Sequence, residues 1–308
     1  MKALITGVNG FVGNYLSKYL IEQGYTVYGT VIEDNVIMEN VNIKKMNLLN
    51  QEEVMETIKS IKPDQIYHLA GQSAVGLSWK EPTLTMNVNI NGTINLLDAV
   101  RENNINTKVL IIGSSDQYGV IKPEDCPINE EHKLNPTSPY AISKMTQEEV
   151  AKLYINAYKM NLILVRAFNH IGPMQSKNFV VSDFASKVAE IEKGAESVIR
   201  VGNLEAYRDF TDVRDIVRGY TMLMERGNLG QIYNIGSGNA YKIQDILDTL
   251  LSLSTVKIQV EIDKDKLRPS DIPMIKCDNS KIKTHVNWDT KYDIKDTLKD
   301  TLDYWRNM

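Results

Sequence analysis

Short apolar runs alternate with longer amphipathic segments through the first half of the chain. The runs are rich in Val, Ile, Leu and Tyr, as buried strands are, and the segments between them space apolar residues as a helix does. Gly24 and Pro63 close two of these helical segments, as helix stops commonly do. The predicted strands, in chain order, are KALITG, YTVYGTV, VNIKKMNLL, DQIYHLAG, KVLIIGSS and NLILVRAFN. This alternation predicts an α/β fold, a doubly wound parallel sheet with helices on both faces.

The pattern becomes looser after residue 170. HIGPMQSKNF and KDKLRPSDIPMIKCDNS are predicted loops, whereas SVIRVG and YNIGS are predicted short strands between three further helices. We interpret residues 1–170 as one domain and residues 171–308 as mainly a smaller C-terminal α/β cap over the end of the sheet. The chain is expected to re-enter the first domain around residues 210–240.

Composition excludes several classes of partner. The chain has 308 residues and a formal net charge of −4, so no basic field attracts nucleic acid or an anionic membrane. No apolar run reaches the roughly 18 residues of a membrane span. Cys126 and Cys277 match no zinc or redox spacing, and the four histidines are scattered, so no metal site is predicted. Two reduced thiols predict a cytoplasmic protein.

The stretch TGVNGFVG, residues 6–13, lies between the first predicted strand and the first predicted helix. In this position Gly7 allows a tight turn, Gly10 lets a pyrophosphate approach the main chain, and Gly13 lets the helix pack closely on the strand. The amides at the helix N-terminus then face the phosphates. The sequence therefore predicts a Rossmann-type site for a dinucleotide.

The end of the second predicted strand bears on the choice of cofactor. A ribose 2′-phosphate requires a nearby arginine, whereas this segment carries Glu33 and Asp34, which would repel it. We therefore expect NAD(H) to be favoured, with NADP(H) as the alternative. Asn47 and Leu48, at the end of the third predicted strand, are placed to frame the adenine.

The stretch SPYAISK contains the candidate proton donor. Ser138 suits a helix N-cap and Pro139 the first helical position, which places Tyr140 and Lys144 one turn apart on one face. The ammonium of Lys144 is expected to lower the pKa of the Tyr140 phenol, which is near 10 in a free tyrosine, and to hold a nicotinamide ribose. Ser114 follows the strand KVLIIG, at the carboxyl end of the sheet, where it can polarise the oxygen that Tyr140 protonates.

With these residues in this order, the chain resembles the extended short-chain dehydrogenases/reductases, in the branch that acts on nucleotide-diphosphate sugars. Further stretches support the resemblance over the whole length: HLAGQSAVGLSW (68–79), NVNINGTINLLDAV (87–100), SSDQYG (114–119), RAFNHIGP (166–173), GNLEAYRDFTDVRD (202–215) and LRPSDIP (267–273). It implies an NAD(P)-dependent enzyme and a homodimer paired through helices near 88–103 and 140–158. The implied cofactor contacts are Gly7, Asn9, Gly10, Phe11, Val12, Gly13, Asn47, Leu48, Leu69, Ala70, Tyr140 and Lys144.

The last two stretches resemble the members that use GDP-sugars, namely the GDP-mannose 4,6-dehydratases and the GDP-6-deoxy-D-mannose reductases. This resemblance implies that the nucleotide sugar is bound by Ser73, Asn169, Asn178, Lys187, Arg208 and Arg268. Arginine forks match phosphate oxygens, and an acidic chain needs such local cations.

The dehydratase and reductase reactions differ in what they require of Asp116. In the dehydratases a glutamate stands two residues before the tyrosine of a stretch like SSDQYG and acts as a base; here Asp116 is one methylene shorter. A displacement of about 1 Å in a base costs on the order of 100-fold in rate. Asp116 therefore favours reduction of a C4 ketone, in which it bonds sugar hydroxyls. A dehydratase or epimerase is the first alternative, and a dinucleotide sensor without catalysis is a distant one.

Overall fold

The computed structural model describes residues 1–263 and 273–308. In that part of the chain, seven strands form a central parallel sheet: β1 (Lys2–Thr6), β2 (Thr26–Val31), β3 (Val41–Lys45), β4 (Gln65–His68), β5 (Lys108–Ser114), β6 (Leu162–Ala167) and β10 (Ile232–Ile235). Their order in the sheet is β3-β2-β1-β4-β5-β6-β10. The expected Rossmann-type sheet is confirmed.

Helices cover both faces of this sheet because alternate strand residues point to opposite sides. The covering helices are α1 (Phe11–Glu22), α2 (Gln51–Ile61), α5 (Gly92–Glu102), α6 (Pro139–Tyr158), α8 (Val213–Arg226) and α10 (Ser280–Val286). The short helices α3 (Val75–Lys80) and α4 (Pro82–Met86) pack against α6. On β1, Ala3 and Ile5 pack in a core with α1, α8 and α10, whereas Leu4 packs in a second core with α2, α5 and α6.

A smaller layer of sheets and helices follows β6. Strands β7 (Asn169–Ile171), β9 (Tyr207–Asp212) and β11 (Ala240–Lys242) form one sheet, and β8 (Val198–Val201) pairs with β12 (Gln259–Ile262). Helices α7 (Val180–Glu192), α9 (Ile243–Ser252) and α11 (Ile294–Asn307) pack against them around Phe184, Leu247 and Leu298. The predicted strand YNIGS does not stay in this layer: as β10 it joins the central sheet beside β6.

Two segments differ from their sequence-based assignments. The stretch predicted as one long helix from residue 87 begins with a π-helical turn, Asn87–Asn91, between α4 and α5. The predicted loop HIGPMQSKNF begins within β7. In the part of the chain that the structure describes, no helix combines the length and apolar character needed to cross a lipid bilayer.

Candidate active site

The turn between β1 and α1 has the geometry that a phosphate-binding turn requires. Gly7 has a φ of 68°, in the left-handed region that favours glycine, and the Gly10 amide donates to its carbonyl at 3.0 Å. A Cβ on Gly13 would lie 2.5 Å from the carbonyl oxygen of Val8, so α1 packs on the turn closely enough to exclude any side chain there. Gly10 is the N-cap of α1 and, lacking a side chain, leaves the amides of Phe11, Val12 and Gly13 without a side-chain cap. The turn therefore fits a bound pyrophosphate.

An acidic side chain lies beside this turn. Asn9 Nδ2 donates to Glu33 Oε2 at 3.0 Å. Backbone hydrogen bonds, and secondarily this bond from Asn9, lower the pKa of Glu33. Asp34 instead pairs with Lys45 at 2.8 Å. Thus Glu33, just beyond the end of β2, is the carboxylate that borders the predicted cofactor site.

The remaining predicted cofactor contacts surround the same edge of the sheet. Ala70 lies against the turn: its Cα would be 3.1 Å from a Cβ on Gly7, and its amide donates to Thr6 Oγ1 at 3.0 Å. Leu69 precedes it, directly after β4. Leu48 is buried against Gly92, whereas Asn47 is exposed and accepts a hydrogen bond from the Leu49 amide at 3.0 Å.

Tyr140 begins α6 as the sequence predicts. The Ser138 hydroxyl caps the helix by accepting a bond from the Ala141 amide at 3.1 Å, and Pro139 is the first helical residue. Tyr140 is only 8% exposed, and a hydrogen bond joins its phenol to the Ser114 side chain. Burial first, and then the charge of Asp116, raise the pKa of Tyr140, while the bond with Ser114 acts in the opposite direction. The phenol is therefore protonated at neutral pH.

Lys144 lies one turn further along α6 and is 6% exposed. Its ammonium donates to the Ile112 carbonyl at 2.8 Å and to Gln147 Oε1 at 2.9 Å. Burial lowers the pKa of Lys144 to about 8. The expectation that Lys144 lowers the pKa of Tyr140 is corrected, because the buried phenol has a raised pKa and the ammonium donates to other groups.

Two further side chains hold Ser114 in place. Gln117 Oε1 accepts from the Ser114 amide at 2.8 Å, which completes a capping box after β5, and Gln117 Nε2 donates to Glu148 Oε2 at 2.9 Å. Glu148 is paired in turn with Arg166, which donates to both of its carboxylate oxygens at 2.7 and 2.8 Å. This buried ion pair joins α6 to β6 and is linked to Ser114 through Gln117.

The sequence reasoning missed the polar residues that support Ser114, Tyr140 and Lys144. Several of them lie on elements far from α6 in the chain, and only their packing brings them together. A signal was present for Gln147 and Glu148, which follow Lys144 by three and four residues and therefore lie on its side of the helix. The missed residues are His68, Asn89, Thr93, Gln117, Gln147, Glu148 and Arg166.

The predicted substrate contacts are distributed over the smaller layer. Asn169 is exposed on β7, where it pairs in register with Phe210 of β9, and Arg208 lies two residues earlier on β9. Arg208 Nη1 donates to the Tyr207 carbonyl at 2.8 Å. Asn169 and Arg208 therefore lie on adjacent strands.

The other predicted substrate contacts are less clearly arranged. Asn178 is exposed just before α7, and Lys187 on α7 pairs with Asp183 at 2.6 Å. Ser73 is exposed in the segment after β4. Arg268 lies outside the described residues.

Comparison with known proteins agrees with this geometry. The model of the GDP-mannose 4,6 dehydratase family matches residues 4–301. The chain is 28% identical to a GDP-6-deoxy-D-mannose reductase of Pseudomonas aeruginosa, over 99% of this chain and 97% of the relative. It is 30% identical to GDP-mannose 4,6 dehydratase 1 of Arabidopsis thaliana, over 98% of this chain and 88% of the relative.

Solved structures show the same fold with a dinucleotide bound. RMD from Pseudomonas aeruginosa complexed with NADPH superposes with a TM-score of 0.88 at 28% identity, over 99% of both chains. UDP-glucose 4-epimerase of Thermus thermophilus complexed with NAD gives a TM-score of 0.88 at 26% identity, again over 99% of both chains. The glycine turn fits such a cofactor, so this is an NAD(P)-dependent enzyme. The chain belongs to the GDP-mannose 4,6-dehydratase family of extended short-chain dehydrogenases/reductases.

Proposed function

We propose that this enzyme reduces the C4 ketone of GDP-4-keto-6-deoxy-D-mannose to GDP-D-rhamnose. The environment of Tyr140 is the observation that carries the proposal. Burial and the charge of Asp116 keep its phenol protonated, and the Ser114 side chain hydrogen-bonds it. A ketone reduction must begin with a protonated donor, whereas a dehydration begins by oxidising C4 and needs a base at the same position. A buried phenol that is hydrogen-bonded to Ser114 and lies near Asp116 therefore suits the proton donor of a reduction.

Each residue has one role in this reaction. Bound NAD(P)H supplies the hydride that C4 accepts. Tyr140 donates its phenolic proton to the carbonyl oxygen as the C=O π bond breaks, and the hydroxyl of Ser114 polarises that oxygen beforehand. Lys144 holds the nicotinamide ribose and places a positive charge near the phenolate that remains. Asp116 accepts hydrogen bonds from sugar hydroxyls.

The charged residues around the site bear on the choice of cofactor and on the binding of the nucleotide diphosphate. We propose that NAD(H) is preferred, because Glu33 borders the turn where a 2′-phosphate would otherwise lie. Asn169 and Arg208 bind the nucleotide diphosphate from adjacent strands of the smaller layer. The similarity to the Pseudomonas aeruginosa reductase supports GDP as the nucleotide.

A two-substrate assay tests the proposal. We expect NADH to be oxidised when GDP-4-keto-6-deoxy-D-mannose is added, with GDP-D-rhamnose identified by mass spectrometry and NMR. GDP-mannose incubated with NAD or NADP should remain unchanged. Consumption of GDP-mannose without net NADH oxidation would contradict reduction and identify a dehydratase.

The dehydratase is the second candidate, because the Arabidopsis thaliana dehydratase is as similar to this chain as the reductase is. In a dehydratase reaction, Asp116 would have to remove the proton from C5 of the sugar. No turnover in either arm of the assay would favour another nucleotide sugar or a dinucleotide sensor.

We also propose a homodimer formed through the α4–α5 and α6 side of the central sheet. Leu84 on α4 and Ile142 and Leu153 on α6 are 44%, 40% and 61% exposed. Large apolar side chains at this density on neighbouring helices are typical of a protein interface. Light scattering should give twice the 34.9 kDa chain mass, and Leu153→Glu should shift it toward the monomer.

A further inference from the structure

A chain of hydrogen bonds crosses the interior from the glycine turn to Lys144. Thr6 Oγ1 lies 3.0 Å from His68 Nδ1, and His68 Nε2 lies 3.0 Å from Thr93 Oγ1. Gln147 Nε2 lies 2.8 Å from the same Thr93 hydroxyl, and Gln147 Oε1 accepts from Lys144 Nζ at 2.9 Å. These five residues come from β1, β4, α5 and α6, and all are buried.

The direction of each bond follows from the number of protons available. Thr93 has one hydroxyl proton, which it donates to the Asn89 carbonyl at 2.7 Å, since a carbonyl can only accept. Thr93 Oγ1 must therefore accept from both other neighbours, Gln147 Nε2 and His68 Nε2. The imidazole proton of His68 consequently lies on Nε2.

The other side of the imidazole is compatible with this tautomer. With its proton on Nε2, His68 Nδ1 can only accept, so the Thr6 hydroxyl donates to it. Thr6 Oγ1 in turn accepts from the Ala70 amide at 3.0 Å. Every proton then has one partner, provided that His68 is neutral. Burial, and secondarily the charge of Lys144, lower the pKa of His68 to about 3 and keep it neutral.

This arrangement fixes the orientation of the Gln147 amide. Its NH₂ group must face the accepting hydroxyl of Thr93, so its oxygen must face Lys144. The reverse orientation would place two N–H groups against an ammonium and leave a buried oxygen beside a hydroxyl that has no proton to give it. The oxygen of Gln147 is therefore held toward the ammonium by the Thr93 hydroxyl of α5.

We propose that Gln147 positions the Lys144 ammonium in the active site, and that the Thr93 hydroxyl, whose proton goes to the Asn89 carbonyl, fixes the orientation of Gln147. Gln147 acts through Lys144 and is thus a positioning residue. The consequence of this positioning for catalysis rests on the proposed function. The position of the Lys144 ammonium itself does not depend on the substrate.

The surroundings of Lys144 determine what replacing Gln147 will change. The Ile112 carbonyl of β5 is its other hydrogen-bond acceptor. The nearby titratable groups are His68 at the end of β4, Tyr140 one turn earlier on α6, and Asp116 beside Tyr140. Gln147→Leu removes one of the two acceptors of a buried ammonium, whereas Gln147→Glu adds a carboxylate beside it. The two substitutions should therefore move the titration of Lys144 in opposite directions.

The experiment follows the Lys144 side chain directly. The protein is labelled with ¹³C-lysine, the Cε signal of Lys144 is assigned by its loss in Lys144→Arg, and its titration is followed by NMR. We expect the midpoint to fall by about one pH unit in Gln147→Leu and to rise by about one unit or more in Gln147→Glu. Gln244→Leu, the same substitution on the exposed side of α9, should leave the midpoint unchanged.

A second pair of variants tests the link through Thr93 if a Gln147 variant fails to fold. Thr93→Val removes the hydroxyl that receives the Gln147 and His68 protons, whereas Thr93→Ser retains it. We expect the Lys144 midpoint to move in Thr93→Val and to return to the parent value in Thr93→Ser. A purely structural role would change the melting temperature of both variants without this recovery.

The outcomes separate this inference from the proposed function. An unchanged Lys144 midpoint in folded Gln147→Leu and Gln147→Glu would overturn the positioning role, whatever the activity. Shifted midpoints in a protein that does not reduce the keto sugar would support the positioning role and reject the proposed reaction.

Discussion

Gln147 and Glu148 are consecutive residues of α6, and they hold different parts of the active site. Gln147 accepts a hydrogen bond from Lys144 at 2.9 Å, and Glu148 accepts one from Gln117, which holds the Ser114 amide. Consecutive helical side chains diverge by about 100°, so the pair reaches α5 on one side and β6 on the other. Tyr140, Lys144 and Ser114 are therefore all fixed to the same helix.

Removing the phenolic hydroxyl should abolish catalysis without removing the cofactor. In Tyr140→Phe no proton can be given to the carbonyl oxygen, and we expect kcat to fall by roughly 10²–10⁴-fold. NADH affinity, measured by fluorescence titration, should stay near the parent value. Tyr154→Phe is the control, because this tyrosine of α6 donates to Asp98, at 2.9 Å. Turnover of a few per cent or more in Tyr140→Phe would show that another group donates the proton.

Lys144 should make the stability of the fold depend on pH. Folding lowers its pKa to about 8, from about 10.4 in an unfolded chain, because burial disfavours the charged form. Between these values the unfolded chain binds more protons, so the folded state gains stability as the pH rises, and the penalty is complete below pH 8. Relative to Lys144→Met, the parent should gain up to about 3 kcal/mol between pH 7 and pH 10.

Urea unfolding of both proteins at the two pH values measures this gain. Lys59→Met, at an exposed position of α2, is the matched control and should show no comparable change. A parent-to-variant difference that stays constant with pH would mean that Lys144 is not desolvated.

Glu33 should influence the choice between the two nicotinamide cofactors. Neutralising it in Glu33→Gln removes a negative charge from the position where a 2′-phosphate is expected, and should raise the affinity for NADPH relative to NADH by about tenfold. Asp34→Asn is the control, because Asp34 is already paired with Lys45. Calorimetric titration with both cofactors gives the ratio. Equal ratios in the two variants would place the ribose elsewhere.

The glycine turn offers a matched pair for stability. In Gly13→Ala the new Cβ would lie 2.5 Å from the Val8 carbonyl and 2.7 Å from that of Gly7, so α1 must move away from the turn. We expect a loss of about 1–3 kcal/mol, or more, in the free energy of unfolding, together with weaker cofactor binding. Gly76→Ala, on α3, meets no described atom within 4 Å and should be neutral or slightly stabilising. Equal stabilities would rule out the close helix–strand contact.

Local sequence patterns were sufficient to predict the elements that depend only on neighbouring residues. The apolar runs predicted the first six strands of the central sheet, and the glycine spacing predicted the turn at Gly7. Ser138 and Pro139 located the start of α6. Each of these depends on a few neighbouring residues, so no knowledge of the tertiary fold was needed.

The properties of the site depend on burial and could not be predicted in this way. The spacing of Tyr140 and Lys144 suggested a lowered phenol pKa, but the depth of burial and the approach of Asp116 reverse its direction. Likewise, the orientation of Gln147 depends on Thr93, which lies 54 positions earlier in the chain. Roles of this kind follow from packing across the sheet.

The π-helical turn at Asn87–Asn91 constrains which sequence changes this protein can accept. Its wider winding holds one residue more than an α-helical turn would need between α4 and α5, and it places the amide of Asn89 against the main chain of Gln72 and the hydroxyl of Ser143. Losing a single residue there would leave a continuous α-helix with α5 in nearly its present orientation, because the wider turn already accommodates the extra residue. The amide of Asn89 would then lose the position from which it reaches Gln72 and Ser143. The segment should accept exchanges of side chains far more readily than a change in its length.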